Sequence, residues 1–134
     1  MRETPQGVSM SNFNSSKMTI ESLYFLVQKG DGFSVRPDGY LKYAGDGYAV
    51  GGAHWKVFTM ANEILSFNVF KSQMERLSAN SIDSSQVIGG WVDEGIVYLE
   101  VSDIIKSKSV ALELAKARGE KAIYDFANAK SIEV

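Results

Sequence analysis

The chain has 134 residues, 45% of them hydrophobic and 22% charged, a balance typical of globular domains and unlike that of disordered or fibrous chains. That length is enough to bury about two-thirds of the surface an unfolded chain exposes, so one self-supporting domain is expected. The net charge of −2 gives no global electrostatic reason to seek nucleic acid or an anionic membrane, and the lack of cysteine removes disulfides, thiolate metal sites and cysteine nucleophiles together.

A cysteine-free chain fits a reducing cytosol. No apolar run approaches the ~20 residues of a membrane span, and the start "MRETPQGVSMSNFNSSKM" lacks the apolar core of a signal peptide. The expected protein is therefore cytoplasmic, with no membrane partner. Residues 1–17 are polar and rich in Ser and Asn, which predicts a flexible N-terminal tail ahead of a single α+β domain over 18–134. Met10 and Met18 are alternative starts within or beside that tail.

Thr19 is a competent N-cap for "IESLYFLVQKG", where Ile20, Leu23, Tyr24 and Val27 recur at helical spacing and Gly30 suits a left-handed cap. From residue 32 the pattern changes to short β-prone runs, "GFSVRP", "YLKYA", "YAVGG" and "WKVFT", separated by Asp38-Gly39, Gly45-Asp46-Gly47 and Gly51-Gly52. They predict a meander of antiparallel strands. Residues 60–79 return to the helical period, with Phe67, Phe70, Met74 and Leu77 on one face, and Asn62 and Asn68 are both competent caps.

The strongest local signal is "VIGGWVDEGIVYLEV", which predicts a β-hairpin of residues 87–92 and 96–104 joined by a three-residue loop, Asp93-Glu94-Gly95. "SKSVALELAKARG" follows as a helix ended by Gly119, then "KAIYDF" as a strand with "SIEV" available to pair with it. The expected architecture is mostly antiparallel sheet with about three helices, ending in a β-β-α-β unit.

Chemistry-bearing residues are few. His54 is the one histidine and reads as a polar residue at a strand end, since no triad serine accompanies it. The glycine clusters lack the Lys-Ser/Thr and the strand-to-helix setting of a phosphate loop, and read as turns and bulges. Neither a cofactor nor a metal ion is expected. Strand alternation puts Glu100 with Tyr98 and Ile96, opposite Val97, Leu99 and Val101, which predicts a solvent-facing Glu100. Trp91 shares a face with Gly89, the arrangement of a ring covering a bare strand; if exposed, it is the best interface anchor in the chain.

The run "GGWVDEGIVYLEVSDII" followed by "ALELAKARGEKAIYDF" resembles the C-terminal module of small proteins encoded by actinobacterial phages, plasmids and integrated elements. The likeness covers roughly residues 88–134 and rests on Gly89, Gly90, Trp91, Gly95, Tyr98, Leu99, Ser102, Ala122, Ile123 and Asp125. It implies a mobile-element origin and carries no activity or catalytic residue.

Together these features favour a non-enzymatic phage or mobile-element accessory protein that acts by protein–protein binding. Its candidate interface is Trp91, Asp93, Glu94, Tyr98, Glu100 and Tyr124, and its expected partner is a host or defence protein that it inhibits. Two alternatives stand beside this. One is a nucleic-acid-binding accessory protein using Lys106, Lys108, Lys116, Arg118 and Lys121, with Tyr98 and Tyr124 as a stacking platform. The other is a small enzyme with a carboxylate site around Asp93, Glu100 and Asp103. An exposed strand edge would also allow a homodimer.

Overall fold

The computed structural model describes residues 13–53, 57–80 and 85–134. The first half contains β1 (Phe13–Lys17), α1 (Ile20–Gln28), β2 (Phe33–Val35), β3 (Leu41–Tyr43), β4 (Tyr48–Val50), β5 (Phe58–Ala61) and a 3-10 turn at Asn62–Ile64. The second contains α2 (Phe67–Asn80), β6 (Gln86–Asp93), β7 (Ile96–Ile105), α3 (Lys108–Ala117), β8 (Ala122–Asp125) and β9 (Lys130–Glu133). All strand pairings are antiparallel, in the order β1-β3-β2-β6-β7-β4-β8-β9, with β5 also on β7. The chain is a single α+β domain whose second half runs β-β-α-β and closes with β9, as the sequence pattern predicts.

The helices start and stop where local chemistry directs. Thr19 and Ser22 cap α1 reciprocally, each side chain bonding the other's backbone N–H at 3.0 and 3.1 Å. Ser107 Oγ accepts the Val110 N–H at the start of α3, and Gly119 at φ 72° carries the chain out of its end. The start of α2 falls at neither asparagine. Residues 58–61 remain strand, Asn62–Ile64 form the 3-10 turn, and Ser66 Oγ accepts the Val69 N–H to begin the helix.

The β6–β7 hairpin is the axis of the sheet, paired from Gln86↔Asp103 to Asp93↔Ile96. Its loop is one residue shorter than expected. Asp93 joins the ladder, leaving Glu94 at φ 49° and Gly95 at φ 77°, the two left-handed positions of a type I′ turn whose twist suits the flanking strands.

Two expectations need correction. Residues 13–17, placed in the flexible tail, form β1 against β3 between Phe13↔Tyr43 and Lys17↔Leu41, because backbone pairing with a neighbouring strand does not require large apolar side chains; residues 1–12 lie outside the described residues. The short strands do not form a simple meander either. Among the described residues of β2 to β5, β2 and β3 pair as sequence neighbours, while β4 and β5 both add to the same edge of β7. Three- and four-residue strands make weak hairpins alone and gain more by joining a long strand already in place.

The core lies on one face of this sheet. Leu23 and Val27 of α1 and Phe70, Met74 and Leu77 of α2 pack on Val35, Ile88, Val97, Leu99 and Val101. Further along the same face, Ala111 and Ala115 of α3 cover Val50 and Ile123. On the opposite face, Tyr43, Val87 and Ile104 pack with Phe126 at one end, and among the described residues no helix lies over the hairpin tip.

Candidate functional site

Two features of the β6–β7 ladder stand apart, one at each end. Near the hairpin tip, Trp91 and Tyr98 are directly paired on the helix-free face. Their rings stack with centroids 5.2 Å apart and planes only 9° from parallel, while Trp91 remains 38% exposed. Such an offset pair adds about 0.5–1.5 kcal/mol beyond area burial and holds the indole in one orientation. The ring also leans over Gly89, its Cζ3 standing 3.9 Å from where a Gly89 Cβ would be. Both sequence readings of Trp91 therefore hold in part: it covers bare strand on one side and stays accessible on the other. Asp93 and Glu94 are exposed beside it.

The second feature sits where β4 gives way to β5. Val50 faces Asp103, and Phe58 faces Leu99, so eight steps of chain oppose four steps of β7. The ladder on this edge of β7 is interrupted between these pairings, a break here called the notch, where the Ala53 N–H donates to Val101 O at 3.3 Å. Arg118, at the end of α3, reaches into this notch. Its guanidinium donates to Asp103 Oδ2 at 2.6 Å, to Gly51 O at 3.0 Å and to Val50 O at 3.4 Å. Asp103 Oδ1 accepts from Gln86 Nε2 at 3.1 Å, and Gln86 Oε1 is buried with no hydrogen-bond partner among the described residues.

Glu100 and Glu120 meet at the same place. A Cβ on Gly51 would collide with Glu100 Oε1 and stand 2.5 Å from Glu120 Oε1, so both carboxylates press on a spot that only glycine leaves free. Burial raises the Glu100 carboxyl to about 7, and repulsion from Glu120 adds to the rise against the opposing pull of the Gly52 N–H and Arg118. Glu120 is raised too, by burial, with Arg118 opposing. The arrangement can hold a proton near neutrality.

Glu100 is thus a correction to the sequence reading, at 7% exposure in place of a solvated face. Alternation assigned its side of the strand correctly but said nothing of what covers that side. The carboxylate trio of Asp93, Glu100 and Asp103 is also not assembled. Asp93 pairs with Ile96 at the far end of the ladder, and Asp103 is occupied by Arg118 and Gln86. The carboxylate that does join Glu100 is Glu120, which follows a helix cap and gives no signal in the sequence.

Tyr124 is 37% exposed but separated from Tyr98, because β4 lies between β7 and β8. Its register partner Ala49 faces Ile104, six residues along β7 from Tyr98, so the two tyrosines form no common platform. In the basic set, Arg118 is committed to Asp103 and Lys106 to Asp46 at 2.7 Å, while Lys108, Lys116 and Lys121 are exposed. His54 lies outside the described residues. Among the described residues no group of three or more His, Cys, Asp or Glu is placed to hold a metal ion, and no helix is long and apolar enough to cross a membrane. No family model, no curated protein and no solved structure matches the chain.

Proposed function

We propose that the protein works by binding another protein through the helix-free end of its sheet, with Trp91 and Tyr98 at the centre. One observation carries this reading: a stacked Trp–Tyr pair fixed on the two longest strands, with the indole still open to solvent. Rigid aromatic side chains lose little entropy on binding and dominate interface energetics. The Glu100–Glu120 pair supports a catalytic reading less well, since both carboxylates are packed against the backbone of Gly51, too close even for a Cβ there, and Glu100 is only 7% exposed. Inhibition of a host defence protein, the role suggested by the mobile-element resemblance, belongs to this same binding reading.

The test is capture of partners from a lysate of the encoding host by the tagged protein and by Trp91→Ala and Tyr98→Ala, each checked for folding and each run with nuclease treatment. A nuclease-resistant partner retained at fixed stoichiometry by the parent and lost by both variants is expected. Retention by both variants overturns the choice of surface. Partners that disappear with nuclease would favour the exposed lysines Lys108, Lys116 and Lys121 and a nucleic-acid role instead.

A further inference from the structure

The surroundings of Trp91 specify the chemistry of what it meets. Tyr98 stacks on one face of the indole. On the other side, the β2–β6 ladder running through Ser34↔Gly89 and Phe33↔Gly90 brings Gly32 alongside Trp91, where a Cβ on Gly32 would stand 3.6 Å from Trp91 Cβ. Gly32 brings no side chain to the flank of Trp91 away from Tyr98, and the indole is 38% exposed. A planar group can complete the stack there.

Carboxylates lie at the same end of the sheet. Asp93 is two residues along β6 from Trp91 and projects from the same face, and Glu94 occupies the turn; both are exposed and have no ion-pair partner among the described residues. The 3-10 turn is tied to the hairpin tip by the Asn62 N–H donating to Gly95 O at 2.7 Å, which brings the exposed Glu63 to the same end. Asp31, beside Gly32, is already paired with Lys29 at 3.3 Å. The tip therefore carries a flat aromatic surface with exposed carboxylates, Asp93 and Glu94, at the same end of the sheet.

We infer that this end of the sheet receives an arginine-bearing segment of a protein partner, the guanidinium stacking on Trp91 and donating to Asp93 and Glu94. The inference rests on the binding function proposed above and adds the partner's chemistry. A guanidinium is planar, weakly hydrated and forked, so it can lie on the indole and engage carboxylates at its edge at once. A lysine ammonium satisfies the carboxylates as a point charge and gains less from the ring. The surface should therefore prefer arginine to lysine.

The probes are acetylated, amidated hexa-arginine and hexa-lysine peptides, titrated into the isotope-labelled full chain while the tryptophan indole N–H signals are followed by NMR. Trp91→Phe assigns the relevant signal. Hexa-arginine is expected to shift the Trp91 indole at a half-saturation severalfold below that of hexa-lysine, and Asp93→Asn with Glu94→Gln should weaken it by about fivefold while leaving the rest of the spectrum in place. Equal response to the two peptides, an unmoved Trp91 signal, or indifference to the double substitution overturns the inference. If lysate capture depends on Trp91 while the peptides are not distinguished, the binding function stands and the arginine assignment falls. If capture is independent of Trp91, both fall.

Discussion

The two ends of the β6–β7 ladder are built from the same backbone geometry and used in opposite ways. At the hairpin tip, Trp91 and Tyr98 stack on an open face beside exposed carboxylates. At the far end, Glu100 and Asp103 are covered by the end of α3 and the Gly51-Gly52 segment and tied into Arg118 and Glu120. Polar groups at the tip remain solvated and cost little; those in the notch have lost water and depend on a few specific partners. Substitutions should therefore act mainly on binding at one end and mainly on folding at the other.

The largest effect is expected for Arg118→Ala. It removes the cation paired with the Asp103 carboxylate, 20% exposed at the side chain, leaving it only the Gln86 amide among the side chains named above, and releases two backbone carbonyls, costing about 3 kcal/mol in chemical denaturation. A loss below about 1 kcal/mol would mean that the notch is as wet as the tip.

Next comes pH. The folded Glu100 carboxyl, near 7, holds its proton more tightly than an unfolded glutamate near 4.5, so the associated stability is present below about 4.5 and lost as pH rises through about 7. The loss is at most about 3 kcal/mol, shared with Glu120, which shifts in the same direction. Thermal melts between about pH 5 and 8 should show the parent falling and Glu100→Gln falling distinctly less, the remaining slope being that of Glu120. Parallel curves would contradict the burial of Glu100.

Two adjacent glycines sharpen the contrast between faces. A Cβ on Gly90 would stand 2.5 Å from Phe33 Cε2 and 3.0 Å from Leu99 Cδ2, inside the core. Gly90→Ala should cost about 1–3 kcal/mol through overpacking. Gly89, on the other face, meets nothing closer than 3.9 Å, and Gly89→Ala should change stability by less than about 0.5 kcal/mol. Equal effects at the two positions would mean that the face assignment is wrong.

Trp91→Ala is expected to cost only about 1 kcal/mol, from the lost stack and partial burial, while abolishing partner capture. Asp93→Asn should leave the melting curve unchanged within error.

Much of the architecture was legible because its signals are local. Thr19 and Gly119 sit within a turn of the helix ends they set, and Asp93-Glu94-Gly95 places the hairpin that carries the candidate surface. Trp91, Asp93 and Glu94 became candidates by the same logic, since a large aromatic and two acids at a turn are visible without knowing what surrounds them. The start of α2 was harder. Ile64 and Leu65 fit a strand, a turn or a helix equally, and the Ser66 cap decided only once β5 had paired with β7.

The sequence by itself determined the α+β class, the capped helices α1 and α3, the hairpin and the parity of residues along its strands, because caps, turns and alternation act between residues a few positions apart. Tertiary structure alone decided that β4 and β5 share one edge of β7, that Tyr124 lies away from Tyr98, and that Glu100 is buried against Glu120. Those outcomes depend on chain segments far apart in sequence, Gly51, Glu100 and Glu120, meeting at one point. Their energy comes from desolvation and close approach, which no local pattern of residues encodes.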